Sequence, residues 1–177
     1  MPIKLSWTDF PEPFDDNTLL NKTQFEPELP LDKNNKPSHL LIEGDNYPVL
    51  KKLAADLAGK VNLIYIDPPY NTGNDFTYKD DFASGQDRHS AWLSFMQRRL
   101  TAALPLLADT GCIFIAIDQS ELYTLKLLCD QIFGEENFVN DFMWLHGKEK
   151  KTPGHALFSS IPSAMPATNV NFLPSAK

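Results

Sequence analysis

One short run of residues has the composition and position to do chemistry on a nucleobase. Asp67, Pro68, Pro69 and Tyr70 follow residues 61–66, an apolar segment without clean alternation that is typical of a buried parallel strand. Ligands of open α/β sheets bind beyond the carboxyl ends of the strands, which is where this run lies. Proline fixes its own φ and disfavours helix in the residue before it, so the chain leaves the strand as a stiff, extended corner.

The polar groups of this corner suit an exocyclic amine, which offers two N–H donors. The Asp67 carboxylate and the Pro68 carbonyl oxygen are two acceptors, and an amine held between them turns its nitrogen lone pair toward an electrophile. Tyr70 offers an aromatic face to an unstacked base, which would have to flip out of a duplex to reach it. These residues indicate methylation of a nucleobase amino group. The alternative is a plain surface turn, because Pro and Asp are common turn residues.

The elements that must position the corner alternate along residues 38–145. Apolar runs predict strands at 40–43, 61–66, 112–117 and 138–145. Helix-spaced apolar stripes lie between the strands: Leu50, Leu53, Ala54 and Leu57; Leu93, Met96, Leu100, Ala103, Leu104 and Leu107; Leu122, Leu125, Leu128, Cys129 and Ile132. Pro105 is expected to kink the second helix or restart its last turn. This alternation predicts an α/β fold with a mostly parallel sheet and covering helices.

The two ends of the chain differ from this middle zone. Residues 1–37 are rich in Pro, acids and amides, which predicts an extended N-terminal arm. Residues 146–177 combine Pro, Ser and Ala without periodicity, which predicts an irregular tail. The loop at 71–89 is long for a connection between a strand and a helix, and such loops are often functional lids.

Composition bounds the protein class. A chain of 177 residues with 42% hydrophobic content fits one domain with a core. Cys112 and Cys129 have no paired spacing, so we expect neither a disulfide nor a metal site. No segment resembles a signal peptide or membrane span, which predicts a cytoplasmic protein with no membrane partner. The net charge of -7 is unusual for a DNA enzyme, because phosphate contacts need Lys and Arg.

Four segments, taken together and in order, resemble a known family. They are Leu40–Asn46, Tyr65–Gly73, Gly111–Asp118 and Phe133–Phe138. The likeness is to amino-methylating DNA methyltransferases of bacterial restriction-modification systems. Within these it is nearest to the modification subunits of type III systems, which methylate adenine N6. The resemblance covers about residues 38–145 and implies a Rossmann-like, S-adenosylmethionine-dependent methyltransferase sheet.

The resemblance also implies roles for individual residues. Asp67, Pro68, Pro69 and Tyr70 become the catalytic residues, with Asp67 also close to the donor S-adenosylmethionine. Asp45 is expected to contact the donor or, alternatively, only to cap a helix.

Three further residues are expected to bind the substrate. They are Asn71, which would also shape the turn, and Phe76 and Tyr78, which would pack over the base. For the two aromatic rings, and for Phe82, the alternative is that they pin the loop to the domain. Cytosine N4 stays open as the acceptor, because that amine offers the same two donors.

Some features of the family are missing. The eight glycines form no Gly-x-Gly pair, so the glycine-rich donor-binding turn is absent, and no target-recognition insert is evident. We therefore expect a truncated enzyme with an incomplete sheet that is marginal or inactive alone. Its expected partners are DNA and a restriction subunit or companion methyltransferase chain. Two alternatives are an inactive remnant that binds such a partner and a methyltransferase acting on RNA or protein.

Overall fold

The structure is a computed structural model that describes residues 4–10, 39–73, 88–144 and 154–160. The predicted lid aromatic residues Phe76, Tyr78 and Phe82 lie outside these ranges, as does most of the predicted N-terminal arm. For residues 154–160 the description covers the backbone alone.

The described part of the chain contains three α-helices and four strands. In chain order they are α1 (Asn46–Leu57), β1 (Val61–Ile66), α2 (Arg88–Ala103), β2 (Leu107–Ile117), α3 (Leu122–Phe133), β3 (Phe138–Trp144) and β4 (Gly154–Ser160). Two short 3-10 turns, Leu104–Leu106 and Glu135–Asn137, precede β2 and β3.

These strands form one mixed sheet with the order β1-β2-β4-β3. β1 and β2 are parallel, and the chain between them includes α2, so the predicted α/β fold is confirmed. β4 lies between β2 and β3 and is antiparallel to both. This strand was not predicted, and the expectation of an irregular tail is wrong for residues 154–160. The hydrogen bonds of β4 come from distant segments, which a local pattern does not reveal.

The strand predicted at 40–43 is absent, because these residues are irregular in the structure. The side chains of Leu40 and Leu41 are 66% and 88% exposed. A strand needs a neighbour to satisfy its backbone groups, and in the described part of the chain no other strand pairs with this segment. The apolar run alone was therefore not sufficient to form one.

The hydrophobic core lies between one face of the sheet and helices α2 and α3. Both helices bury the apolar faces that their spacing predicted, and β2 contributes its inward-facing residues to the same cluster. The buried members include Trp92, Leu93, Met96, Leu100, Ile113, Ile115, Ile117, Leu122, Leu125, Leu128 and Cys129. Ile64 and Ile66 of β1 pack against this cluster, which fixes the strand that leads into Asp67.

The opposite face of β1 is open within the described part of the structure. Leu63 and Tyr65, which alternate with the inward-facing residues, are 55% and 66% exposed. β1 is also an edge strand of the sheet, with β2 as its one described neighbour. The end of this strand is therefore accessible from the side away from the helices.

Pro105 and Gly111 set the path from α2 into β2. α2 ends at Ala103, and Pro105 lies in the 3-10 turn that follows, so the helix stops where a break was expected. β2 begins at Leu107, earlier than predicted, and its register against β1 shifts before Cys112. A Cβ atom on Gly111 would lie 2.8 Å from the Ala108 and Val61 carbonyl oxygens, so this irregularity requires glycine.

The buried thiol of Cys129 gives a testable pH dependence. Burial raises the pKa of this thiol from 9.0 to about 12, and the neighbouring Asp130 carboxylate also raises it. Between these pH values the thiol ionises in the unfolded chain but not in the folded one. The free energy of unfolding is therefore expected to fall by about 1.4 kcal/mol per pH unit in this range. Urea denaturation of the wild type and of Cys129→Ala checks this; equal pH slopes for the two proteins would contradict it.

Candidate active site

The corner Asp67–Tyr70 lies directly beyond the carboxyl end of β1. The Asp67 side chain is exposed, Pro68 is buried, and Pro69 and Tyr70 are half-buried. No cation of the described residues pairs with the Asp67 carboxylate, and no described donor takes the Pro68 carbonyl oxygen. Tyr70 packs against the edge of the hydrophobic core and keeps part of its surface exposed. The Asp67 carboxylate is thus exposed at the corner, next to the Pro68 carbonyl oxygen of a buried residue and the partly exposed ring of Tyr70.

Trp92 anchors the middle of the corner. Its side chain is completely buried in α2, and its indole Nε1 donates a hydrogen bond of 2.7 Å to the Pro69 carbonyl oxygen. A buried indole N–H needs an acceptor, and the Pro69 carbonyl oxygen is available because residue 69 lies outside any helix or strand. The bond fixes the peptide that follows the proposed acceptor carbonyl of Pro68.

Asn71 closes the corner with an unusual backbone conformation. Its φ is 57°, in the left-handed region that asparagine tolerates better than most residues. The side chain is completely buried, and its Nδ2 donates to Glu121 Oε1 at 2.6 Å and to the Arg88 carbonyl oxygen at 3.3 Å. Asn71 was expected to bind the substrate as well as to shape the turn. The positive φ and these hydrogen bonds account for its place in the turn, and the substrate contact stays a prediction.

Glu121 collects three hydrogen bonds at the same place. Its side chain is completely buried in the turn before α3. Besides Asn71, it is bonded to His89 Nδ1 at 2.6 Å and accepts a hydrogen bond from the Thr124 hydroxyl. This network ties the end of the corner to the first turns of α2 and α3.

Glu121, His89 and Trp92 were not predicted to belong to the site. Trp92 lies on the apolar face of a predicted helix and was indistinguishable from a core residue. Glu121 could have been found, since it follows β2 and β2 neighbours β1 with the same direction. Its position beyond a parallel strand end is the same signal that identified Asp67.

Asp45 caps α1. Its Oδ1 accepts a hydrogen bond of 2.8 Å from the Tyr47 backbone N–H, which is the geometry of an N-terminal cap. Arg99 of α2 lies 3.4 Å from the same carboxylate and donates to Asn46 Oδ1 at 2.7 Å. The guanidinium also stacks on Phe95, with 3.5 Å to the ring centroid. The cap alternative for Asp45 is therefore correct, and 40% of the side chain stays exposed for a second contact.

Substitutions at Asp45 separate the capping hydrogen bond from the charge interaction with Arg99. Asp45→Ala is expected to lower the free energy of unfolding by about 1 kcal/mol, because alanine cannot accept the Tyr47 hydrogen bond. Asp45→Asn keeps a capping oxygen and is expected to lose less than half as much. Urea denaturation measures both values. Equal losses for the two variants would show that the charge near Arg99, and not the cap, is what stabilises this end of the helix.

Other surface features lie apart from the corner. A pocket of about 640 Å³ is lined by Lys4 and by residues at the end of α3, among them Asp130, Gln131 and Glu135. It shares no lining residue with the corner. The described residues contain no cluster of three or more His, Cys, Asp or Glu that could hold a metal ion. Among the described helices, none has the length and apolarity that a membrane crossing requires.

Comparison with known proteins points to one family. Residues 61–170, more than half of the chain, match the family model described as DNA methylase. The chain is 43% identical over 139 residues to the type III restriction-modification enzyme EcoP15I Mod subunit of Escherichia coli, which covers 64% of this chain and 22% of that protein. It is 46% identical over 140 residues to the StyLTI Mod subunit of Salmonella typhimurium, covering 65% and 22%. The chain thus spans about a fifth of the length of these relatives.

Among solved structures, the M1.HpyAVI–SAM complex is similar to part of the chain. The match has a TM-score of 0.44 and 18% sequence identity, and it covers 70% of this chain and 55% of that chain.

Proposed function

The chain belongs to the DNA methylase family, and from this membership and the geometry of the corner we propose that it carries the catalytic residues of a DNA methyltransferase. The proposed substrate is the N6 amino group of adenine in DNA, within a restriction-modification system. The proposed methyl donor is S-adenosylmethionine.

The observation that carries this proposal is the exposed Asp67 carboxylate at the end of β1, which has the Pro68 carbonyl oxygen beside it, with no described group bonded to either acceptor. The Asp67 carboxylate is exposed, and it adjoins the Pro68 carbonyl oxygen on a corner whose neighbouring peptide is held by Trp92. An adenine amine has two N–H donors, and each of these acceptors takes one. The exposed part of Tyr70 supports the flipped base by stacking, as aromatic residues do in enzymes that act on extruded bases.

This arrangement does the positioning part of the reaction. Holding both N–H groups directs the nitrogen lone pair outward from the corner and restricts the amine to a single orientation. S-adenosylmethionine, when bound, supplies an electrophilic methyl group. As the nitrogen forms its new bond and gains positive charge, the Asp67 carboxylate stabilises that charge and then accepts the surplus proton or passes it to water. The amine reacts in its neutral form, so the corner needs no strongly shifted acid or base.

Donor contacts are proposed for Asp45 and Asp67. The Asp45 carboxylate is partly exposed although it caps α1 and faces Arg99, so it retains acceptor capacity for a hydroxyl or amino group of the donor. Phe76 and Tyr78 remain proposed base contacts on sequence grounds. The further proposed partner is a restriction subunit or a companion methyltransferase chain, and the proposed location is the cytoplasm, where the host DNA is methylated.

The experiment that tests this proposal compares the methylated bases of the source cell with those of a strain lacking the gene. We expect one short DNA sequence to lose N6-methyladenine in the deletion strain, and a plasmid copy of the gene to restore it. Single-molecule sequencing reads N6-methyladenine and N4-methylcytosine separately, so loss of the second would move the acceptor to cytosine. An unchanged DNA methylation pattern would overturn the proposal, and so would a loss of methyl groups from RNA or protein in place of DNA.

A further inference from the structure

We propose that Glu121 is the positioning residue of the catalytic corner, because its buried carboxylate holds Asn71 in the left-handed conformation that ends Asp67–Tyr70. The role of Glu121 in catalysis rests on the proposed function. The structural content of the inference, that one buried carboxylate fixes the shape of the corner, can be measured without any reaction.

The orientation of the Glu121 side chain is the first argument. Glu121 occupies the N-cap position of α3, where a polar side chain commonly accepts a hydrogen bond from the first turn of its own helix. Here the side chain makes no such bond with the helix backbone. Its Oε1 instead accepts the hydrogen bond of 2.6 Å from Asn71 Nδ2, across 50 positions of sequence. One carboxylate oxygen is therefore directed at the corner, while the other accepts from the Thr124 side chain of α3 and not from the helix backbone.

The burial of the carboxylate is the second argument. A carboxylate with no exposed surface needs several donors to offset the loss of water, and removal of any one partner is costly. Asn71, His89 and Thr124 supply these donors from the corner, from α2 and from α3. A rigid, mutually satisfied network of this kind specifies one arrangement of the segments that it joins.

The position of Asn71 shows what this arrangement controls. Asn71 follows Tyr70 directly, and its φ of 57° sets the direction in which the chain leaves the corner. Pro68 and Pro69 restrict the corner from within, and Trp92 holds the Pro69 carbonyl oxygen. The Glu121 bond restrains the chain on the far side of Tyr70, together with the weaker Asn71 bond to the Arg88 carbonyl oxygen. Its loss is expected to loosen the ring that would stack on the base relative to Asp67.

Hydrogen exchange of the purified 177-residue chain tests the structural content. Glu121→Ala is expected to raise the exchange rates of the backbone amides at 70–73 about tenfold, because a hydrogen bond to a charged group is lost. Glu121→Gln keeps an acceptor oxygen for Asn71 and His89 and is expected to stay close to the wild type. Leu128→Ala, a core substitution in α3, is the control for general loss of stability. It should not raise the exchange rates at 70–73 more than it raises those of the amides in β2.

A second variant approaches the same bond from its other end and covers the case in which Glu121→Ala does not fold. Asn71→Gly allows the positive φ but removes the donor to Glu121. We expect it to loosen residues 70–73 to a similar extent. Protection at 70–73 equal to the wild type in Asn71→Gly, or failure of Glu121→Gln to preserve protection, would overturn the inference.

Methylation in the source cell tests the catalytic meaning. A chromosomal Glu121→Ala allele is expected to reduce the rate at which new sites become methylated about tenfold or more, whereas Glu121→Gln retains most of the rate. If the gene deletion leaves DNA methylation unchanged, the proposed function fails, while the exchange measurements still decide whether Glu121 positions the corner. If methylation depends on the gene but is insensitive to Glu121→Ala, the positioning inference alone is wrong.

Discussion

Asp67→Ala is expected to lower the rate of methyl transfer to DNA on the order of 100-fold. The carboxylate is an exposed acceptor at the end of β1. In the proposed reaction it would meet an amine N–H in the ground state and a developing positive charge in the transition state. A hydrogen bond to a charged group contributes up to about 3 kcal/mol, and each 1.36 kcal/mol corresponds to about tenfold in rate. The measurement is incorporation of tritiated methyl groups into unmethylated DNA by extracts of cells that express either allele.

Two further variants make this expectation specific. Asp67→Asn keeps one acceptor oxygen but loses the charge, so its rate is expected to lie between those of wild type and Asp67→Ala. Asp56→Ala removes an exposed acid from α1 and is expected to leave the rate unchanged, which controls for net charge. Wild-type rates in Asp67→Ala would remove the carboxylate from the reaction and with it the central argument for an amine substrate.

Trp92→Ala is expected to lower the free energy of unfolding by about 3–5 kcal/mol, the largest stability effect among the substitutions proposed here. The side chain is fully buried in the core, so its removal leaves a large cavity and also leaves the Pro69 carbonyl oxygen without its donor. Trp92→Phe retains most of the apolar volume but leaves the Pro69 carbonyl oxygen without its donor, at an expected loss of about 1–3 kcal/mol. Urea denaturation followed by circular dichroism measures both.

Trp7→Phe is the matched control for the lost indole hydrogen bond. The half-buried Trp7 donates through Nε1 to Ser94 Oγ at 3.0 Å, remote in sequence from the corner. Its loss is expected to lower the free energy of unfolding by less than about 1 kcal/mol, because the buried Ser94 Oγ still accepts a hydrogen bond of 3.0 Å from the Phe10 backbone N–H. Equal losses in Trp92→Phe and Trp7→Phe would mean that the Pro69 carbonyl oxygen does not depend on Trp92.

The parts of the fold that the sequence revealed are those with a strong local pattern. The buried face of α2 follows Leu93, Met96 and Leu100 at helical spacing, and Pro105 ends the helix for a reason that lies within the residue itself. The stiff exit from β1 is likewise a property of Pro68 and Pro69. Each of these features depends on residues close together in the chain, so it could be predicted without knowledge of the tertiary structure.

The parts that it did not reveal depend on partners far away in the chain. Residues 40–43 are as apolar as a strand, yet no described strand pairs with them, so they stay irregular. Residues 154–160 have a weak pattern and still form β4, because β2 and β3 offer hydrogen-bonding edges on both sides. Strand formation is decided by neighbours more than by intrinsic preference.

The candidate site shows the same division. Asp67 was identified from its place after an apolar strand, and the structure leaves it exposed at that strand end. The network behind it joins Asn71, His89 and Glu121 from three separate segments. Glu121 could be suspected from its place after β2, but no spacing rule connects it to Asn71 and His89, so their association could be recognised in three dimensions alone.

The central place of β4 has a consequence for how the sheet is assembled during synthesis. β4 is the last of the described strands to leave the ribosome, yet it joins β2 to β3. Until residue 160 has been made, β2 can pair with β1 but not with β4, and β3 lacks β4, the one described strand with which it pairs. Closure of this sheet is therefore a late event with high contact order, and a nascent chain that stalls between β3 and β4 would expose an unfinished edge to proteases and chaperones.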